Sequence, residues 1–172
     1  METIPLDRGD PRWVFPQLPD GDAVAVSAAL AEADAHLRTL ADRLGAPPGG
    51  RLAFHAQPQF AIAGLFGVVE AAGVHFSAGL YAPRRCAFDL RWGPPWTVDT
   101  EIMGLCPPAD TCGTHVLATH DTQHPTPREA AHALTEATAR LLALATATPL
   151  ATWHSRIDTP CPAGEGAGQG AG

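Results

Sequence analysis

The stretch GVHFSAGLYA, residues 73–82, decides the fold. Val74, Phe76, Ala78 and Leu80 alternate with His75, Ser77, Gly79 and Tyr81. A side-chain period of two is the mark of a strand with one buried face and one wetter face. The same rhythm continues toward the C-terminus. In CAFDLRW, Cys86, Phe88, Leu90 and Trp92 alternate with Ala87, Asp89 and Arg91. After GPP, which reads as a turn, WTVDTEIMGLC sets Trp96, Val98, Thr100 and Ile102 against Thr97, Asp99 and Glu101. A further strand is expected in THVLATHD, from Thr114. Successive strands joined by short turns form an antiparallel meander. That arrangement sets Arg91 near Asp99 or Glu101 across the GPP turn, a favourable cross-strand pair.

On the N-terminal side the pattern is mixed. RLAFHA suits a short strand. Over residues 59–72, Ile62, Leu65, Phe66 and Val69 recur at helical spacing, and a helix is the expectation there. Gly64 and Gly67 oppose it, at about 1 kcal/mol each relative to Ala. The rival is a strand that turns at EAAG, residues 70–73.

Two helices are plain. In the segment from Asp20 to Gly45, Val26, Leu30, Ala33, Leu37, Leu40 and Leu44 form one apolar stripe, with Glu32, Asp34, Arg38 and Asp42 off it. Asp20 or Asp22 is placed to cap its start and Gly45 to end it. In TPREAAHALTEATARLLALATATP, Thr126, Pro127 and Glu129 spell a capping box with Pro at the first helical position. Ala130, Leu134, Ala137, Leu141 and Ala145 are its stripe, and Pro149 stops it. LATWHSRI adds a short helical turn that packs Trp153 and Ile157. The fold class is therefore α+β: an antiparallel sheet of about four strands with two or three amphipathic helices on one face. Residues 1–19, broken by four prolines, read as an extended arm. Residues 20–158 form a single domain, and 159–172 are a low-complexity Gly/Ala tail expected to be disordered.

Composition narrows the function. The 172 residues carry 18 acidic and 11 basic side chains, a net charge of −7, which repels a phosphate backbone and an anionic membrane surface. Nucleic acid and membrane are accordingly not expected partners. Every basic residue is Arg, and Lys and Asn are absent, a bias expected of a GC-rich bacterial genome. No apolar run approaches the roughly 20 residues that span a bilayer. The Pro-broken acidic start does not resemble a signal peptide, so a cytoplasmic location with mostly reduced thiols is expected.

Candidate chemistry gathers in CPPADTCGTHVLATHDTQHP, Cys106–Pro125. Cys106, Cys112 and His115 are the residue types zinc prefers, with His120 as a fourth candidate, although the spacing departs from usual zinc knuckles. His115 and His120 are an odd number apart, so a continuous strand points them to opposite faces. A redox-responsive Cys106–Cys112 disulfide is a second reading, and an ordinary turn between strands is the plainest one. The polar sheet face offers His75, Asp99 and Glu101 as an acid–base set. There is no nucleophile elbow, phosphate loop, dinucleotide fingerprint, zinc-protease motif or Cys-x-x-Cys pair.

The leading expectation is a non-catalytic interaction or regulatory domain that needs no cofactor. Its partner is a protein, with a second copy of the chain as one form of it. Trp13, Phe15, Trp92, Trp96 and Trp153 are taken as apolar rim residues, because Trp is enriched at binding hot spots. The alternatives are a small zinc protein on Cys106, Cys112 and His115, and a metal-free enzyme or ligand binder on the polar sheet face.

Overall fold

The computed structural model describes residues 10–46, 55–56, 62–86, 89–92, 95–105 and 114–157. Helix α1 (Asp20–Leu44) is followed by strands β1 (His55–Ala56), β2 (Ile62–Ala71), β3 (Val74–Cys86), β4 (Asp89–Trp92), β5 (Trp96–Leu105) and β6 (Thr114–His124). Helices α2 (Pro127–Ala147) and α3 (Leu150–Ile157) complete the chain. The sheet is antiparallel in the order β1-β2-β3-β5-β6, with β4 paired to β3. Its four long strands are β2, β3, β5 and β6, and the helices pack on it, which is the expected α+β class.

Alternation places the core. Val74, Phe76, Ala78 and Leu80 of β3 are buried, and register aligns them with Ala71 and Val69 of β2 and with Val98, Thr100 and Ile102 of β5. The stripes of α1 and α2 close over this face: Val26, Leu30, Ala33, Leu37 and Leu40 are buried, as are Ala130, Leu134, Ala137, Leu141 and Ala145. Each buried Leu or Val side chain adds about 1.5–3 kcal/mol.

The helix ends follow the sequence in part. Thr126 Oγ1 accepts from the Glu129 amide at 3.2 Å, completing the expected N-cap. Gly45 takes the left-handed conformation (φ 63°) that ends α1. Pro19, not an aspartate, occupies the cap position of α1; Asp20 and Asp22 lie in its first turn and hold Arg12 and Arg128. Asp34 is not a surface residue of α1: it is 7% exposed and pairs with Arg38 one turn on.

Three expectations are overturned. Residues 62–71 form strand β2, not a helix, and the chain reverses at Ala72–Gly73, where both residues have positive φ (49° and 80°). The glycines explain it: Gly64 and Gly79 lie beside Tyr81, whose ring fills the space a Cβ would need at either position. Second, β4 and β5 are not the two arms of a hairpin. Strands β4 and β5 both run antiparallel to β3, along successive stretches of it, so they share a direction. Arg91 therefore does not stand across a turn from Asp99 or Glu101; Asp99 is flanked by Gly79 and Asp121, and Glu101 by Ser77 and Thr119. Third, Phe15, Trp96 and Trp153 are core residues, not rim residues. Phe15 meets Trp96 edge-on at 4.9 Å, and Trp153 of α3 meets Phe76 at 6.5 Å with the Arg156 guanidinium over its ring. The side chains of Trp13 and Trp92 lie outside the described set.

Candidate functional site

The face of the sheet away from the core carries the polar side chains. Register lines up Glu70, His75 and Met103; then Val68, Ser77, Glu101 and Thr119; then Gly79, Asp99 and Asp121; then Gly64, Tyr81, Thr97 and Gln123. Strand alternation thus collects His75, Asp99 and Glu101 on one face, as their parity requires.

They do not form one cluster. His75 lies opposite Glu70, with Nε2 3.7 Å from the Glu70 carboxylate and without a hydrogen bond. Asp99 is opposite Gly79, four residues along β3 from His75, or about 13 Å at 3.3 Å per residue. Asp99 and Glu101 are same-face neighbours, and Asp121 stands directly across from Asp99. Burial pushes the Asp99 carboxyl up to about 7, and the charges of Glu101 and Asp121 push it the same way. Burial likewise raises the Tyr81 phenol, with the Asp99 and Glu101 charges adding to the effect. A carboxylic acid that exchanges its proton near neutrality suits acid–base chemistry, and equally suits a site that a cation or a basic side chain would neutralise.

A second feature lies on the core side, between α2 and the β5–β6 pair. A cleft of about 290 Å³ is lined by Ile102, Ala118, Leu141 and Leu144, by two threonines, and by His120 with Arg140. Arg140 Nη2 is 3.3 Å from His120 Nε2. The sequence reading missed this pairing. Its one signal was Arg140 itself, a cation in the middle of α2 next to the Leu141 stripe position.

Cys106 and Cys112 lie outside the described residues. His115 and His120 both fall on β6, where the register shifts between Ile102 and Met103. That bulge changes the parity: His115 stands opposite Gly104 and His120 opposite Thr100, both on the core-side set of β5 positions. Four β5 residues, roughly 13 Å, separate those positions. Among the described residues no three His, Cys, Asp or Glu side chains are grouped to hold a metal, and no helix is long and apolar enough to cross a membrane.

Comparison with known proteins yields no match to a family model, to a curated protein or to a solved structure.

Proposed function

We propose that the protein is a non-catalytic interaction domain that takes an extended, basic segment of a partner protein onto strand β6. The observation that carries this reading is the edge position of β6. The strand is 11 residues long and pairs with β5 on one side, with no strand on its other side among the described residues. A long edge strand presents unpaired backbone donors and acceptors, the template used in β-augmentation. The register is regular over Ala118–His124, beyond the bulge. Val116, on the same strand, is 57% exposed.

Charge selects the partner. Asp121 lies on the open face of β6, backed by Asp99 and Glu101 on β5. Alternate side chains of an added strand project onto that face, and basic ones relieve its repulsion. The net charge of −7 steers such a segment in from solution.

The test is selection from a library of random ten-residue peptides, followed by hydrogen exchange on the complex. Enriched peptides are expected to alternate basic residues and to slow amide exchange across residues 114–124. Asp121→Lys, an exposed substitution, is expected to weaken them at least tenfold. Enrichment of no peptide, or protection elsewhere with no effect of Asp121→Lys, removes the proposal.

A zinc protein is a second reading, supported by the residue types of Cys106, Cys112 and His115. Elemental analysis of protein purified under reducing conditions tests it: one zinc per chain, lost in Cys112→Ala, is the expected result on that reading.

A further inference from the structure

The charge pattern of the cleft between α2 and β5–β6 sets it apart from the rest of the molecule. Among arginines with described side chains, Arg12, Arg38 and Arg128 hold carboxylates. Arg43 reaches Thr146 Oγ1, and Arg156 lies over Trp153. Among the described residues Arg140 has only His120 as a polar partner, in a chain with an excess of acidic groups. Among the described residues that line the cleft none is acidic.

We infer that this cleft binds a small monocarboxylate with an apolar body. The guanidinium of Arg140 is a planar fork of donors that matches a carboxylate in bidentate fashion. Arg140 is always a donor, so His120 Nε2 takes the accepting role in their contact. Apart from Thr100 and Thr119, the remaining walls are apolar. Leu144 is 45% exposed at the mouth, an unfavourable surface that a ligand would cover. The volume, about 290 Å³, is roughly twice that of an apolar cavity able to hold benzene. An arylalkanoate or a branched or medium-chain alkanoate fits this description. A single guanidinium and no second Arg at the site favour a monoanion over a phosphate ester. The inference does not depend on the edge-strand proposal, since it uses the core side of the sheet and not Asp121.

Isothermal titration of the full chain with 4-phenylbutyrate and with 4-phenylbutan-1-ol tests it. The acid is expected to bind at least tenfold more tightly than the alcohol. Arg140→Gln should abolish that preference and leave the alcohol unchanged. Leu144→Asp should weaken both, and Asp121→Lys neither. Both cleft side chains are exposed, so an unchanged thermal midpoint is expected for each variant. The His120 imidazole resonances should shift on titration with the acid. Equal affinity for acid and alcohol, an unaltered preference in Arg140→Gln, or no binding of the acid at millimolar concentration overturns the assignment.

Discussion

Asp99 on β5 stands directly opposite Asp121 on β6, two carboxylates facing each other across neighbouring strands. Like charges in this position oppose pairing of the strands. On its other flank Asp99 meets Gly79, which offers no side chain to bond it. Burial first, then the charges of Glu101 and of Asp121, leave Asp99 with a carboxyl that gives up its proton only at about pH 7.

This relationship predicts a stability that falls as pH rises. Below about pH 4 the Asp99 carboxyl is protonated in the folded and unfolded chains alike. Between about 4 and 7 the unfolded chain releases the proton while the folded protein keeps it, so stability declines across that window. Above 7 the full penalty applies. Asp99 is half-buried, so screening reduces the penalty to on the order of 2 kcal/mol. Asp99→Asn should stabilise the protein by that amount at pH 8 and by almost nothing at pH 4. Urea unfolding at both values checks it; a difference independent of pH contradicts the linkage.

The Tyr81 ring lies over Gly64 and Gly79, and this predicts coupling between the positions. A methyl group at Gly79 forces the ring aside, at about 1–3 kcal/mol. Gly79→Ala should cost markedly less in a Tyr81→Ala background. A double-mutant cycle by chemical denaturation measures the coupling, and additive effects exclude the overlap.

At the β2–β3 turn, Ala72 adopts φ 49° next to Gly73 at φ 80°. A two-residue hairpin loop with both φ values positive favours Asn-Gly, and a left-handed Ala costs roughly 1–2 kcal/mol. Ala72→Asn should therefore stabilise the protein by about 0.5–1 kcal/mol, seen as a higher thermal midpoint.

Trp153 anchors α3 with 2% of its surface exposed. Its Nε1 is buried without a hydrogen-bond partner. Trp153→Ala should cost about 3–5 kcal/mol through the cavity it leaves beside Phe76. Trp153→Phe keeps much of the volume and removes the unpaired N–H, so its cost should be far smaller. Denaturant midpoints for the two variants provide the comparison.

The class of fold was legible because local pattern and burial coincide. The stripe of Leu30, Leu37 and Leu40, the stripe of Leu134 and Leu141, and the alternation through Phe76 and Val98 each name the face that must leave water. The chemistry of Thr126 and Gly45 marks helix ends by local hydrogen bonding and backbone freedom alone. The polar side of the sheet was legible for the same reason: parity alone puts His75, Asp99 and Glu101 on it. Which of them meet was not, because pairing and register are set by contacts between distant segments. The Gly64 and Gly67 stretch became a strand through pairing with β3, which overrode its helical spacing. The direction of β4 and β5 followed from their common partner, which no turn signal encodes. A bulge in β6 reversed the parity of His115 relative to His120. The meeting of Arg140 with His120 needed α2 to lie across the β5–β6 pair, a packing of whole elements that residue spacing along the chain does not contain.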